Sequence, residues 1–162
     1  MIIEYDSKYD EEIKDLLVDL QNYLIDIDDW HTQILSDNYR ENYFLLDIKK
    51  FKEQSGKIYL SINNGIIDGF ILGVISMSDE IDILTNDCAK TGEVLELIVK
   101  TNSRGSGIGK ELLNKIEAYF KSIDCKINIL LRFRLQEVPW LMVIFIQITV
   151  YVQVVNQKNW QD

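Results

Sequence analysis

Segment 101–110 combines closely spaced glycines with two cationic side chains, between a β-branched run and an amphipathic stretch. Glycine lets the main chain adopt positive φ and approach a ligand closely, and the first turn of a helix leaves N–H groups unpaired with partial positive charge. Arg104 and Lys110 add formal charge. The pattern predicts a phosphate or diphosphate site, with a tight turn that binds nothing as the alternative. The glycines are Gly105, Gly107 and Gly109.

Two common phosphate-binding motifs fail on spacing. A Walker A loop needs four residues between its first glycine and Gly-Lys, then Ser or Thr. Here three residues separate Gly105 from Gly109, and Glu111 follows Lys110. A dinucleotide-binding loop needs Gly-x-Gly-x-x-Gly, and the third glycine comes one residue early. Neither class of nucleotide site is therefore predicted.

The pattern that remains is Arg-x-x-Gly-x-Gly, formed by Arg104, Gly107 and Gly109. It resembles the acetyl-CoA-binding motif of the GNAT superfamily of N-acetyltransferases. The resemblance covers about residues 2–131, in which the predicted strands and helices follow the family's order. It implies an α/β fold with a mixed, mostly antiparallel central sheet flanked by helices. We expect a single acetyltransferase domain over residues 1–162, with 132–162 atypical for the family.

The resemblance also implies roles for individual residues. Main-chain amides from Arg104 to Lys110 would hold the diphosphate of acetyl-CoA, the co-substrate. Segment 97–99 would pair with the pantetheine arm like an added strand, and an N–H near Val99 would face the thioester oxygen. The expected cofactor-binding residues are Leu97, Ile98, Val99, Arg104, Gly105, Ser106, Gly107, Ile108, Gly109 and Lys110.

Acetyl transfer to an amine also needs a base, because an amine with a pKa near ~10.4 is protonated at neutral pH. Glu93 lies eleven residues before Arg104, which matches the catalytic glutamate of the protein-lysine acetyltransferases that the chain resembles. Glu96 is the competing candidate. In a regular strand Glu93 would share a face with Leu97 and Val99, and Glu96 would lie on the opposite face. A solvated strand-end carboxylate is the alternative interpretation of Glu93.

Local patterns predict the elements that position these residues. Segment 2–5 is a predicted strand, and Ser7 with Asp10 resembles a capping box that opens an amphipathic helix. A second helix is expected over 41–54. Strands at 57–62 and 67–75 flank Asn-Gly, which favours a hairpin turn. A polar loop at 78–91, a strand at 94–99, a helix at 108–122 and a strand at 126–131 complete the prediction. The apolar face of the first helix comprises Ile13, Leu16, Leu17, Leu20 and Leu24.

Composition restricts the partners and the compartment. The 162 residues include 17 basic and 26 acidic side chains, and the net charge of −9 argues against nucleic-acid and anionic-membrane partners. Cys88, Cys125 and His31 are too few and too scattered to predict a metal site. The acidic N-terminal stretch lacks the pattern of a secretory signal, so we expect a cytoplasmic protein. Acidic runs could attract a cationic amine, and Trp30 and Tyr39 could line its pocket. The acidic runs are Asp26, Asp28 and Asp29, and Asp79, Glu80 and Asp82.

The last segment departs from the family pattern. Residues 131–162 carry five charged side chains, and the apolar run 141–155 is shorter than a membrane helix and alternates like a long strand. The family's helix with an Asn and a Phe-Tyr pair is missing, and Tyr151, the one tyrosine after Tyr119, is the candidate that is left for a general acid. A shifted reading frame is one hypothesis for this change in composition.

The sequence therefore predicts an N-acetyltransferase that moves the acetyl group of acetyl-CoA to a primary amine of a small molecule or peptide by direct attack. The alternatives are a non-catalytic CoA-binding module and a partner-binding domain, both suggested by the atypical C-terminal segment. A homodimer is compatible with each of these functions. Aminoglycosides, polyamines, amino acids and protein amines all remain open as acceptors.

Overall fold

A computed structural model describes residues 1–77, 84 and 90–125. The strands of this part are β1 (Ile2–Glu4), β2 (Lys57–Asn63), β3 (Ile66–Met77) and β4 (Lys90–Val99). The helices are α1 (Asp10–Asp26), α2 (Tyr39–Glu53) and α3 (Ile108–Ser122), with short 3₁₀ turns at Ser7–Tyr9 and Thr101–Ser103. The predicted α/β fold, with a mostly antiparallel central sheet flanked by helices, is confirmed, and the four described strands pair antiparallel throughout.

The described strands form one antiparallel sheet in the order β1-β2-β3-β4. The predicted hairpin is confirmed, and its turn residues Asn64 and Gly65 have φ of 51° and 82°, as a tight hairpin turn requires. β4 begins at Lys90, four residues before the predicted start at 94. Residues 90–93, Lys-Thr-Gly-Glu, contain no apolar side chain, so they carry none of the hydrophobic alternation from which a strand is predicted.

Helices cover both faces of the sheet. The α1–α2 face carries a core that includes Leu16, Leu17 and Phe44 from the helices. The α3 face packs Leu112, Ile116 and Phe120 against the other side of the strands. Glycines let α3 approach closely: an added Cβ at Gly73 would lie 2.6 Å from Ile116 Cγ1, and one at Gly92 would lie 2.5 Å from Phe120 Cδ2. The start of α3 lies beside the end of β4, where a Cβ added at Gly109 would lie 3.7 Å from Val99 Cγ2.

The predicted capping box is wrong. Ser7 lies within the 3₁₀ turn, and the carboxylate of Asp6 caps that turn by accepting from the N–H of Lys8 at 3.1 Å. The side chain of Asp10 instead accepts the hydroxyl of Tyr5 at 2.6 Å. α1 begins after Tyr9 with no side-chain cap.

Several predicted features lie outside the described residues. These are the strand at 126–131, the apolar run at 141–155, Tyr151, Cys88 and the acidic run of Asp79, Glu80 and Asp82. Within the part that the structure describes, no helix is long and apolar enough to cross a membrane. The same part holds no group of three or more His, Cys, Asp or Glu side chains placed to bind a metal ion.

Candidate active site

A β-bulge in β4 sets the direction of the candidate catalytic side chains. Leu72 of β3 pairs with Glu96 and Gly73 pairs with Val94, so Leu95 is an extra residue without a partner of its own on β3. One extra residue reverses the alternation of side chains along the strand. Side chains alternate between the two faces of the sheet on each side of the bulge, but the alternation shifts by one residue at Leu95.

Glu93 and Glu96 consequently lie on the same face of the sheet. Glu93 pairs with Val74 and Glu96 pairs with Leu72, and both partners belong to the core of the α1–α2 face. The expectation that Glu93 shares a face with Leu97 and Val99, opposite to Glu96, is wrong because it assumed a regular strand. Leu97 instead packs on the α3 face. Both candidate bases thus face α1 and α2.

The glycine-rich loop forms a pocket at the end of β4. The pocket has a volume of about 390 Å³. Gly105 and Gly107 have φ of 79° and 89°, and a Cβ added at either position would meet no atom within 4 Å. These glycines adopt left-handed conformations beside open space, which is the arrangement needed for main-chain groups to approach a ligand. The lining residues are Val99, Ser103, Arg104, Gly105, Gly107, Ile108 and Gly109.

Main-chain donors are available beside this pocket. Gly107 is the N-cap of α3, and its carbonyl accepts from the N–H of Glu111 at 3.1 Å. Among the described residues, the N–H groups from Gly107 to Lys110 donate to no other main-chain group, as expected for the first turn of a helix. The helix dipole adds partial positive charge at the same point. The first turn of α3 can therefore bind an anion.

Among the described residues, no strand pairs with β4 on the side away from β3, and this side presents main-chain groups. The N–H of Lys100 donates to the carbonyl of Asp68 at 2.8 Å, and the next pair along the ladder is Val99 with Gly69. Since hydrogen-bonded and non-bonded pairs alternate in antiparallel sheets, the main-chain groups of Val99 and Leu97 point away from β3. Those of Ile98 point toward β3, and its side chain is buried on the α1–α2 face. An extended ligand could pair at positions 97 and 99.

Arg104 connects the glycine-rich loop to β4 and α1. Its Nε donates to the carbonyl oxygen of Val99 at 3.2 Å, and its guanidinium carbon lies 5.4 Å from the ring centroid of Tyr23 on α1. Such a cation–π contact restrains the exposed side chain at the rim of the pocket. Lys110 is exposed on the first turn of α3, and the Ser106 hydroxyl donates to the carbonyl of Ser103. Among the described residues that line the pocket, Arg104 is the cation.

Glu96 has a buried acidic environment. The residue is 8% exposed, and its Oε1 accepts a hydrogen bond from the Tyr43 hydroxyl at 2.7 Å. Burial raises the pKa of Glu96 to about 7, against the opposing effects of the Tyr43 hydrogen bond and the charge of Lys50. Asp47 is 7% exposed, and burial together with the charge of Glu96 raises its pKa to about 8. The carboxyl groups of Glu96 and Asp47 can therefore exchange protons near neutral pH.

The other candidate acceptor residues have structural contacts of their own. The carboxylate of Asp28 accepts from the main-chain N–H groups of Trp30 and Gln33, at 3.1 and 2.6 Å, so it organises the loop after α1. Trp30 is 67% exposed. The ring of Tyr39 lies 5.0 Å from that of Tyr43. Of the candidates among the described residues, Tyr39 contacts Tyr43, which donates to Glu96.

The sequence analysis missed four residues of this region. Ser103 lines the pocket, Tyr23 contacts Arg104, and Tyr43 and Asp47 lie beside Glu96. The available signal was the spacing of Tyr39, Tyr43 and Asp47 at four-residue intervals, which places them on one side of a helix. Which strand that side would meet depends on the packing of α2.

Comparisons with known proteins agree with this architecture. The model of a family described as "Acetyltransferase (GNAT) family" matches residues 24–135. A GNAT-family acetyltransferase from Staphylococcus aureus Mu50 has 23% identity and a TM-score of 0.57, and the match covers 78% of this chain and 70% of that one. An acetyltransferase from Vibrio fischeri has 16% identity, a TM-score of 0.60, and coverage of 80% and 93%.

A third solved structure is the aminoglycoside N-acetyltransferase AAC(6')-Iy in complex with CoA. It has 11% identity and a TM-score of 0.60, and the match covers 90% of this chain and 88% of that one. At these identities the three likenesses show the fold. The comparison with curated proteins found no match.

Proposed function

The chain belongs to the GNAT family of acetyltransferases, and we propose that it moves the acetyl group of acetyl-CoA to a primary amine of a small molecule or peptide. The observation that carries the proposal is the pocket between the end of β4 and the start of α3. There, two glycines at positive φ and the first turn of a helix meet at one point. This arrangement suits a diphosphate bound by main-chain N–H groups.

The residues of the pocket fit the polar part of CoA. Gly105 and Gly107 leave open space where a side chain would stand, and the N–H groups at the start of α3 are the donors. Arg104 supplies formal positive charge at the rim, in a chain whose net charge is −9. Main-chain groups of Leu97 and Val99 that point away from β3 would pair with the pantetheine arm.

Acetyl-CoA would supply a thioester: the amine nitrogen would bond to its carbonyl carbon, the C–S bond would break, and CoA would leave as a thiolate that takes up a proton to give the free thiol. The chain's contribution is to bind this group beside the amine and to take the proton that the nitrogen loses. We assign proton removal to Glu96, directly or through one water molecule. A main-chain N–H near Val99 would face the oxygen on which negative charge develops.

Glu96 is favoured over Glu93 as the base by its surroundings. Glu96 is buried, accepts a hydrogen bond from Tyr43, and has a pKa of about 7, which suits proton removal at neutral pH. Glu93 is on the same face and is half-buried, three residues farther from the pocket. It remains the alternative base, and the experiment below compares the two.

The test measures thiol release from acetyl-CoA with a panel of spermidine, kanamycin, free lysine and a lysine-containing peptide. We expect at least one amine to be acetylated, and Glu96→Gln to lower kcat by about 10²- to 10⁴-fold while acetyl-CoA affinity is kept. Glu93→Gln is the matched control, since it removes the same charge from the same face. A larger loss in Glu93→Gln would reassign the base. Tight acetyl-CoA binding with no thiol release for any amine would favour the non-catalytic module.

A further inference from the structure

Tyr43 makes a direct polar contact with Glu96 across the interface between α2 and β4. Its hydroxyl donates to Oε1 at 2.7 Å, and its ring packs on Tyr39 one helical turn earlier at a centroid distance of 5.0 Å. The hydroxyl is therefore restrained on one side by the ring contact and on the other by the carboxylate.

The titratable groups around Glu96 come mainly from α2. Tyr43 and Lys50 affect the pKa of Glu96. The charge of Glu96 in turn raises the pKa of Tyr43 and that of Asp47. On β4 the neighbouring acid of the same face is Glu93, and the paired residue on β3 is the apolar Leu72. α1 presents apolar Leu16, Leu17 and Leu20 to this core. Tyr43 is the one hydrogen-bond donor that the described residues direct at the Glu96 carboxylate.

We propose that Tyr43 is a positioning residue that orients the Glu96 carboxylate, through its hydroxyl, for removal of the proton from the acceptor amine. This inference rests on the proposed function, in which Glu96 is the base. A hydrogen bond to the ionised carboxylate favours that form, so Tyr43 opposes the effect of burial and keeps Glu96 available as a base near neutral pH. Without the hydroxyl, Glu96 would hold its proton to higher pH.

The experiment follows the titration of Glu96 by ¹³C NMR of protein labelled at glutamate side-chain carboxyls, with the Glu96→Gln spectrum as the assignment. In Tyr43→Phe we expect the midpoint to rise by about 1 to 2 pH units, the effect of losing one hydrogen bond to a charged group. Site-specific 3-fluorotyrosine at position 43 strengthens the donor without changing the fold, so it should lower the midpoint. Opposite shifts in the two variants would not arise from a loss of folding.

Tyr5→Phe is the matched control, because Tyr5 also donates to a carboxylate, that of Asp10, at 2.6 Å. Its Glu96 titration should equal that of the unmodified protein. With an amine that the panel identifies as an acceptor, the acidic limb of kcat/KM should follow the NMR midpoint in each variant. An unchanged Glu96 midpoint in both position-43 variants would overturn the role of Tyr43. An acidic limb that persists in Glu96→Gln would instead overturn Glu96 as the base, and the two failures are distinct.

Discussion

Replacing Gly107 with alanine separates the binding role of the glycine-rich loop from its structural role. Gly107 and Gly65 have similar φ, 89° and 82°, and a Cβ added at either would meet no atom within 4 Å. Gly65 lies in the β2–β3 turn, and Gly107 lines the pocket. Gly65→Ala is therefore a matched control, which repeats the backbone strain without touching the candidate site.

The expected magnitudes differ between stability and binding. A non-glycine residue in the left-handed region costs roughly 1–2 kcal/mol, so both variants should lose a similar amount of folding free energy. Only Gly107→Ala also places a methyl group where main-chain donors would meet the diphosphate. Loss of one hydrogen bond to a charged group is worth about 1.5–3 kcal/mol, which predicts roughly 10- to 100-fold weaker acetyl-CoA binding.

Isothermal titration with acetyl-CoA measures the affinities, and thermal unfolding of the same samples measures the stabilities. We expect similar losses of Tm in both variants and a higher Kd in Gly107→Ala alone. Gly105→Ala, at a φ of 79° in the same loop, should resemble Gly107→Ala. Equal affinities for the Gly65 and Gly107 variants, with matched losses of stability, would refute the assignment of the loop as the diphosphate site.

Two further predictions concern stability. Gly73→Ala should destabilise the protein by about 1–3 kcal/mol in urea unfolding, because the new Cβ would lie 2.6 Å from Ile116 Cγ1. An effect as small as that of a surface substitution would contradict the close packing of α3 on the sheet. The raised pKa of Asp47, about 8, means that its ionisation opposes folding as pH rises above its unfolded value of about 3.9 toward 8. The free energy of unfolding of Asp47→Asn should therefore rise relative to that of the parent between pH 5.5 and 8.5, by at most about 3 kcal/mol. A difference between the two proteins that stays constant with pH would contradict the raised pKa of Asp47.

Local signals were sufficient for the elements that adjoin the pocket. The observed α3 has the predicted bounds, because its apolar residues repeat with the helical period and Gly107 precedes its first turn. The hairpin was equally predictable from Asn64 and Gly65, two residue types that tolerate positive φ. The glycine-rich loop was therefore located from residue types and spacing alone.

Features that depend on pairing between distant segments were not predictable in the same way. The bulge at Leu95 arises from the register of β4 against β3, and no residue of β4 alone indicates it. It brings Glu93 and Glu96 onto one face, contrary to the regular alternation that the sequence predicted. Tyr43 and Asp47 approach Glu96 because α2 packs on that face, which is a tertiary contact.

The most direct test of the account is a ¹H–¹⁵N NMR titration of the protein with acetyl-CoA, followed at individual main-chain amides. We predict that the amides of Gly105, Gly107, Gly109 and Lys110 show the largest changes in chemical shift. The chemical shifts of the amides in the Asn64–Gly65 turn should stay unchanged. Saturable binding that leaves the glycine-loop amides unchanged while other resonances shift would contradict the central claim that this loop binds the diphosphate.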